Sequence, residues 1–227
     1  MDPQVVRMQE RRGANTPGAD DPEGAEGALA RIVGGACGGD RGAFASLIRI
    51  FRPEVQRIAL RLIGNHEDAE DVAQETFVRA WGQLGRFAEG HGSAEVAAER
   101  LGAWLVGISV HIVRDLQRKK SRAPRREAAA VAMQLAYRIA ARRSDEPDAV
   151  VSERETQQLL NAALAALPER LRTALVLRTF EGLDYAAIAE ITGLRANTVR
   201  THVMQGRRAL RRILGPALEL DGEEEIR

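Results

Sequence analysis

Aromatic residues are scarce, at 4% of 227 positions, with only two tryptophans and two tyrosines. So few large rings argue against an extended β core, which relies on aromatic and β-branched packing. Cysteine occurs once, as Cys37, which excludes a disulfide framework and any cysteine-rich zinc site. Net charge is nearly absent, because 33 Lys and Arg against 32 Asp and Glu leave +1. The chain is therefore not drawn to nucleic acid by its overall charge. No uninterrupted apolar run approaches the roughly 18 residues that would span a bilayer. The first residues carry no apolar signal core either, and together these absences predict a cytoplasmic protein. What is present is 44% hydrophobic residues over a length sufficient for two small domains.

Charge is segregated rather than absent. The clearest case is residues 182–214, GLDYAAIAEITGLRANTVRTHVMQGRRALRRIL. Asp184 is a suitable N-cap for a helix whose inward residues are Ala187, Ile188 and Ile191. Gly193 ends that helix as a residue free to take positive φ. A second helix follows from about Ala196, with Val199, Val203, Gly206, Leu210 and Ile213 on one face. Asn197, Thr201, Met204 and Arg208 lie opposite, flanked by Arg200 and Gln205. Arginines at 195, 200, 207, 208, 211 and 212 occur with no acid among them. This is the pattern of a helix-turn-helix whose basic second helix meets base edges in the major groove. Its DNA-contacting candidates are Arg195, Asn197, Thr198, Arg200, Thr201, Met204, Gln205 and Arg208.

The rest reads as helices and breaks. Residues 1–26 are rich in Gly, Pro, Ala and acids and predict a disordered leader. A short helix at 28–36 precedes a break at Cys37-Gly38-Gly39. Asp40 caps the next helix, with Phe44, Leu47, Ile48 and Phe51 inward. Pro53 is expected to start another, carrying Val55, Ile58, Ala59 and Leu62. Gly64-Asn65 is a turn, and Asn65 can cap the helix at 66–81, HEDAEDVAQETFVRAW. That helix has an apolar face of Ala69, Val72, Ala73, Thr76, Phe77 and Ala80, and an acidic front half of Glu67, Asp68, Glu70, Asp71 and Glu75. Acids favour a helix N-terminus, but five of them still make a negative patch. His66-Glu67 begins like the zinc motif H-E-x-x-H, yet position 70 is glutamate, so no metal site is expected. Residues 82–100 are Gly- and Ala-rich and read as a long loop with a short helix at 94–100. Residues 101–120 form a helix with Trp104, Leu105, Ile108, Ile112 and Leu116, and it ends in a basic run suited to phosphates.

The expected organisation is all-α, with two small helical domains, 27–120 and 151–214, joined by a flexible linker at 121–150. The second domain holds four helices, near 151–166, 169–180, 184–192 and 196–214, and residues 215–227 form an acidic tail.

In this order the motifs resemble the extracytoplasmic-function (ECF) sigma factors, the two-domain members of the sigma-70 family. DAEDVAQETFVRAW, residues 68–81, resembles the family's helix that grips core RNA polymerase. Leu101-Gly102-Ala103-Trp104-Leu105 resembles its promoter-melting helix, and residues 167–210 resemble its minus-thirty-five reader. The resemblance implies a sigma region 2-like bundle and a region 4-like helix-turn-helix. It implies that Asp68, Asp71, Gln74, Glu75, Arg79 and Trp81 contact the polymerase β′ coiled coil. It places Phe87, Trp104, His111, Arg114 and Arg118 near the minus-ten strand. Promoter DNA, core polymerase including its β flap, and an anti-sigma factor are the implied partners. No cofactor and no catalytic group are implied. Three departures from the family pattern concern specificity: the longer segment between Phe87 and Trp104, His111 in place of a common asparagine, and Thr201-His202 with Gln205 in the recognition helix. A response-regulator type of helix-turn-helix would explain residues 182–214 but leaves 66–120 without a role.

Overall fold

The computed structural model describes residues 22–119, 123–145 and 152–218. Nine helices and no strand occur among these residues. They are α1 (Pro22–Cys37), α2 (Arg41–Ile63), α3 (His66–Glu89), α4 (Ala94–Lys119), α5 (Ala123–Asp145), α6 (Glu153–Ala166), α7 (Glu169–Thr179), α8 (Tyr185–Thr192) and α9 (Ala196–Leu218). They form two compact units: the first takes α1, α2 as far as Leu60, residues 65–115 and residues 181–184, and the second takes residues 61–64 and the rest of the chain from Leu116 on. The leader at 1–21 and the tail beyond residue 218 lie outside the described residues.

Along α1 to α3, short-range chemistry sets the breaks. Gly39 turns the chain at φ 89°, and Asp40 Oδ1 accepts from the N–H groups of Gly42 (2.7 Å) and Ala43 (3.2 Å) to start α2. Gly64 turns at φ 80°, and Asn65 caps α3 by accepting from the Asp68 N–H at 3.1 Å. Pro53 does not start a helix; α2 runs through it. An interior proline costs about 3 kcal/mol. Phe51, Val55, Ile58, Ala59 and Leu62 are all buried on one face across that point. At about 1.5–3 kcal/mol for each large apolar side chain, this burial outweighs the lost bond.

The long loop expected at 82–100 is instead a helical hairpin. α3 continues eight residues beyond Trp81 to Glu89, and α4 begins at Ala94. Gly92, at φ 73°, shapes the turn, and Ser93 Oγ accepts from the Val96 N–H at 3.4 Å. The helices hold because Leu84, Phe87, Ala97, Ala98 and Leu101 are buried. By length and composition Ala94–Arg118 is apolar enough to cross a membrane, although no uninterrupted apolar run in the sequence is that long, and most of it is buried as a core helix.

The second unit departs from expectation at 121–150. Most of that span is α5, which packs on α6 and α9. Ala136, Ile139 and Leu159 are buried together, with Leu135 and Leu214 against them. The other residues of the expected linker, 121–122 and 146–150, lie outside the described residues. α6 opens with a capping box in which Ser152 and Glu155 each bond the other's backbone N–H. The buried Arg172 Nη1 donates to Ala165 O at 3.2 Å, tying α7 to the C-terminal end of α6.

Candidate nucleic-acid and protein interfaces

α8 and α9 form the helix-turn-helix. Gly193, at φ 69°, makes the turn, and the Leu194 N–H donates to Ala189 O at 3.1 Å. Val199 and Val203 are buried on the inner face of α9. Gly206 lets α9 approach α7: a Cβ there would lie 3.2 Å from Leu171 O and 3.3 Å from Leu175 Cβ. This contact fixes the rotation of α9 and therefore which residues face outward. Arg195, Asn197, Arg200, Thr201, Met204, Gln205 and Arg208 are exposed, as are Arg207, Arg211 and Arg212, while Thr198 is half-buried. The Thr201 hydroxyl donates to Asn197 O at 3.0 Å, which leaves its lone pairs outward to accept.

Tyr185, which sequence reasoning passed over, sits beside this face. The guanidinium groups of Arg178 and Arg200 lie 4.9 Å and 5.4 Å from its ring centre. Such cation–π contacts bias where Arg200 points. His202 is half-buried, and burial together with the Arg170 charge holds its pKa below the usual imidazole value.

On α4, Trp104, His111, Arg114 and Arg118 share one face, and Arg100 joins them at the same helical spacing. Arg100, His111, Arg114 and Arg118 are exposed and Trp104 is half-buried. The result is a basic strip with one indole in it. A loop at 82–100 would leave Phe87 open beside this strip, but it is not. It lies within α3 at 8% exposure, stacked on Trp104 at 4.4 Å and packed against His91 at 4.3 Å. It therefore backs the indole rather than offering its own face.

On α3, Asp71, Gln74, Glu75, Val78 and Trp81 make one outward strip, with Asp68 and Arg79 on its flank. Arg79 Nε donates to Glu75 Oε1 at 2.8 Å, so these two are already paired. Val78 is 64% exposed and Trp81 40%. Trp81 packs on Phe44 of α2 at 4.8 Å, and together with Ile48, Gln74 and Phe77 they line a groove of about 380 Å³. The acids alone were legible in sequence; the apolar groove needs two helices side by side. Nearby, burial raises the pKa of the half-buried Cys37, whose thiol points at Leu84 O, 3.9 Å away. That favours the unreactive protonated form.

Family models match both units. Residues 47–123 match sigma-70 region 2, and residues 157–210 match sigma-70 region 4. The chain is similar to the ECF RNA polymerase sigma factor SigW of Bacillus subtilis, at 30% identity over 78% of this chain and 91% of that one. It is also similar to the ECF sigma factor SigE of Mycolicibacterium smegmatis, at 32% identity over 76% of this chain and 63% of the relative. Two solved structures share the fold. CnrH in complex with the cytosolic domain of CnrY gives a TM-score of 0.56 at 22% identity, covering 82% of this chain and 97% of that one. RpoE with the anti-sigma factor NepR from Bartonella quintana gives 0.54 at 23%, covering 79% and 98%.

Proposed function

The chain belongs to the ECF RNA polymerase sigma factors of the sigma-70 family and directs promoter-specific transcription initiation, and from that premise we propose which surface performs each step. The strip of Asp71, Gln74, Glu75, Val78 and Trp81, with the groove beside it, docks on core polymerase through the β′ coiled coil. The basic strip of α4 holds the minus-ten strand, with Trp104 as the stacking surface and Arg100, Arg114 and Arg118 on phosphates. α9 reads the minus-thirty-five element. The observation that carries this is the outward face of α9, where arginines, Asn197, Thr201 and Gln205 are exposed on a rigidly seated helix with no acid among them.

Each step then has a physical source. Phosphate contacts set affinity and register, and base-edge contacts set sequence. Holding an unstacked base against Trp104 offsets the few kcal/mol that extruding it costs. The chain supplies binding and orientation, and polymerase supplies the chemistry, in the cytoplasm. The apolar groove is also the candidate seat of an anti-sigma factor, which would exclude polymerase by occupying the same surface. One structure of this fold, RpoE of Bartonella quintana, holds the anti-sigma factor NepR.

The docking surface has a direct test. Trp81→Ala removes an aromatic anchor of the kind that costs about 2 kcal/mol or more at interfaces. Asp71→Lys with Glu75→Lys reverses charge and acts mainly on association rate and salt dependence. Core binding should fall in both, with the charge-reversed variant recovering in part as salt rises and Trp81→Ala not. Co-purification of both variants with core polymerase at wild-type levels would place the docking surface elsewhere.

A further inference from the structure

Met204 stands out on α9. It is 64% exposed, while the other large apolar residues described on this helix are buried or half-buried. It sits one turn from Arg200 and from Arg208, with Thr201 and Gln205 beside it. Nothing among the described residues covers it, so an apolar side chain is presented to whatever α9 meets. The surroundings restrict what that is. Arginines at 195, 200, 207, 208, 211 and 212 without one acid suit a polyanion. In the major groove of duplex DNA, base edges present hydrogen-bonding groups and one apolar group, the C5-methyl of thymine. Methionine is also well matched to it, being flexible and polarisable enough to settle on a methyl without demanding a fixed shape.

We propose that Met204 is a specificity-determining residue that packs on a thymine methyl within the minus-thirty-five element. This rests on α9 being the major-groove helix, and it adds what polar residues cannot supply: discrimination of thymine from cytosine at one position through an apolar contact. Arg200, Thr201 and Gln205 hydrogen-bond neighbouring base edges. The proposal therefore requires a thymine on one strand, flanked by positions whose readout is polar.

Uracil differs from thymine by the methyl alone and keeps its hydrogen bonds. The test uses holoenzyme and a promoter fragment recovered by transcription from genomic DNA. Each thymine of the minus-thirty-five element, on either strand, is replaced by uracil one at a time. Wild type should lose about fourfold in affinity at one position, the effect of one methyl removed from an apolar contact. Met204→Ala should bind the unmodified fragment more weakly by a similar factor and be insensitive at that position. Met204→Leu should keep the sensitivity. Wild-type affinity unchanged by every uracil, while Arg211→Ala still weakens binding, would overturn the proposal and leave α9 on DNA. So would a Met204→Ala variant that loses core association but keeps the uracil profile. If Arg200→Ala and Arg211→Ala both leave promoter affinity unchanged, α9 is not the DNA-reading helix, and the underlying reading fails with the proposal.

Discussion

At the scale of single residues, neighbours decide what each side chain can offer. Arg79 is an exposed cation beside a negative strip, yet it is paired with Glu75 one turn away, which leaves Asp71 and Gln74 as the more available groups of that strip. Phe87 and Trp104 are both aromatic near the basic strip of α4, but only Trp104 retains accessible surface worth stacking on. His202 carries a pH consequence. Burial and then Arg170 lower its folded-state pKa, so the unfolded chain takes the proton at higher pH than the folded one. The unfolded state then binds more protons as pH falls through about 6.5, and stability is lost in that direction. His202→Gln should reduce the drop in thermal midpoint between about pH 7.5 and pH 5.5, a window set by the ordinary imidazole value. An unchanged drop in the variant would assign the acid sensitivity to other groups.

At the scale of elements, α5 matters most, because it is part of the second unit rather than a tether. Ala136 faces Ile139, Leu159 and Leu214. Ala136→Asp buries a charge there and should destabilise the second unit by about 3 kcal/mol or more. Gln134→Asp, on the exposed side, should change little. Amide exchange across residues 153–214 would separate the two, and equal protection in both variants would return α5 to the status of a linker. The sequence made the helix-turn-helix and the caps legible because Gly193, Asp40 and Asn65 act on backbone groups only a few residues away. It did not make α5 or the hairpin of α3 and α4 legible, since alanines such as Ala97, Ala98, Ala132 and Ala136 do the packing and leave little contrast in hydrophobic pattern. Pro53 misled for the opposite reason, a strong local signal overridden by burial on both sides. The groove of Phe44 and Trp81, and Tyr185 beside Arg200, depend on contacts between helices that no spacing within one helix encodes.

At the scale of the whole molecule, a net charge of +1 conceals surfaces of opposite purpose. An acidic and apolar face on α3 suits a protein partner, while basic faces on α4 and α9 suit DNA. On the proposed assignment, keeping the signs on separate faces lets a protein partner and DNA each meet a surface of the opposite sign. The claim at the centre is that this chain converts core polymerase into an enzyme that starts at particular sites. The most direct measurement is transcription in vitro with core polymerase, a library of genomic fragments and the purified chain, with all start sites mapped. Discrete starts should appear only when the chain is present. They should share two upstream elements at fixed spacing, and the upstream one should change when Arg200 or Gln205 is replaced by alanine. Starts that form equally without the chain, or that share no upstream element, would contradict it.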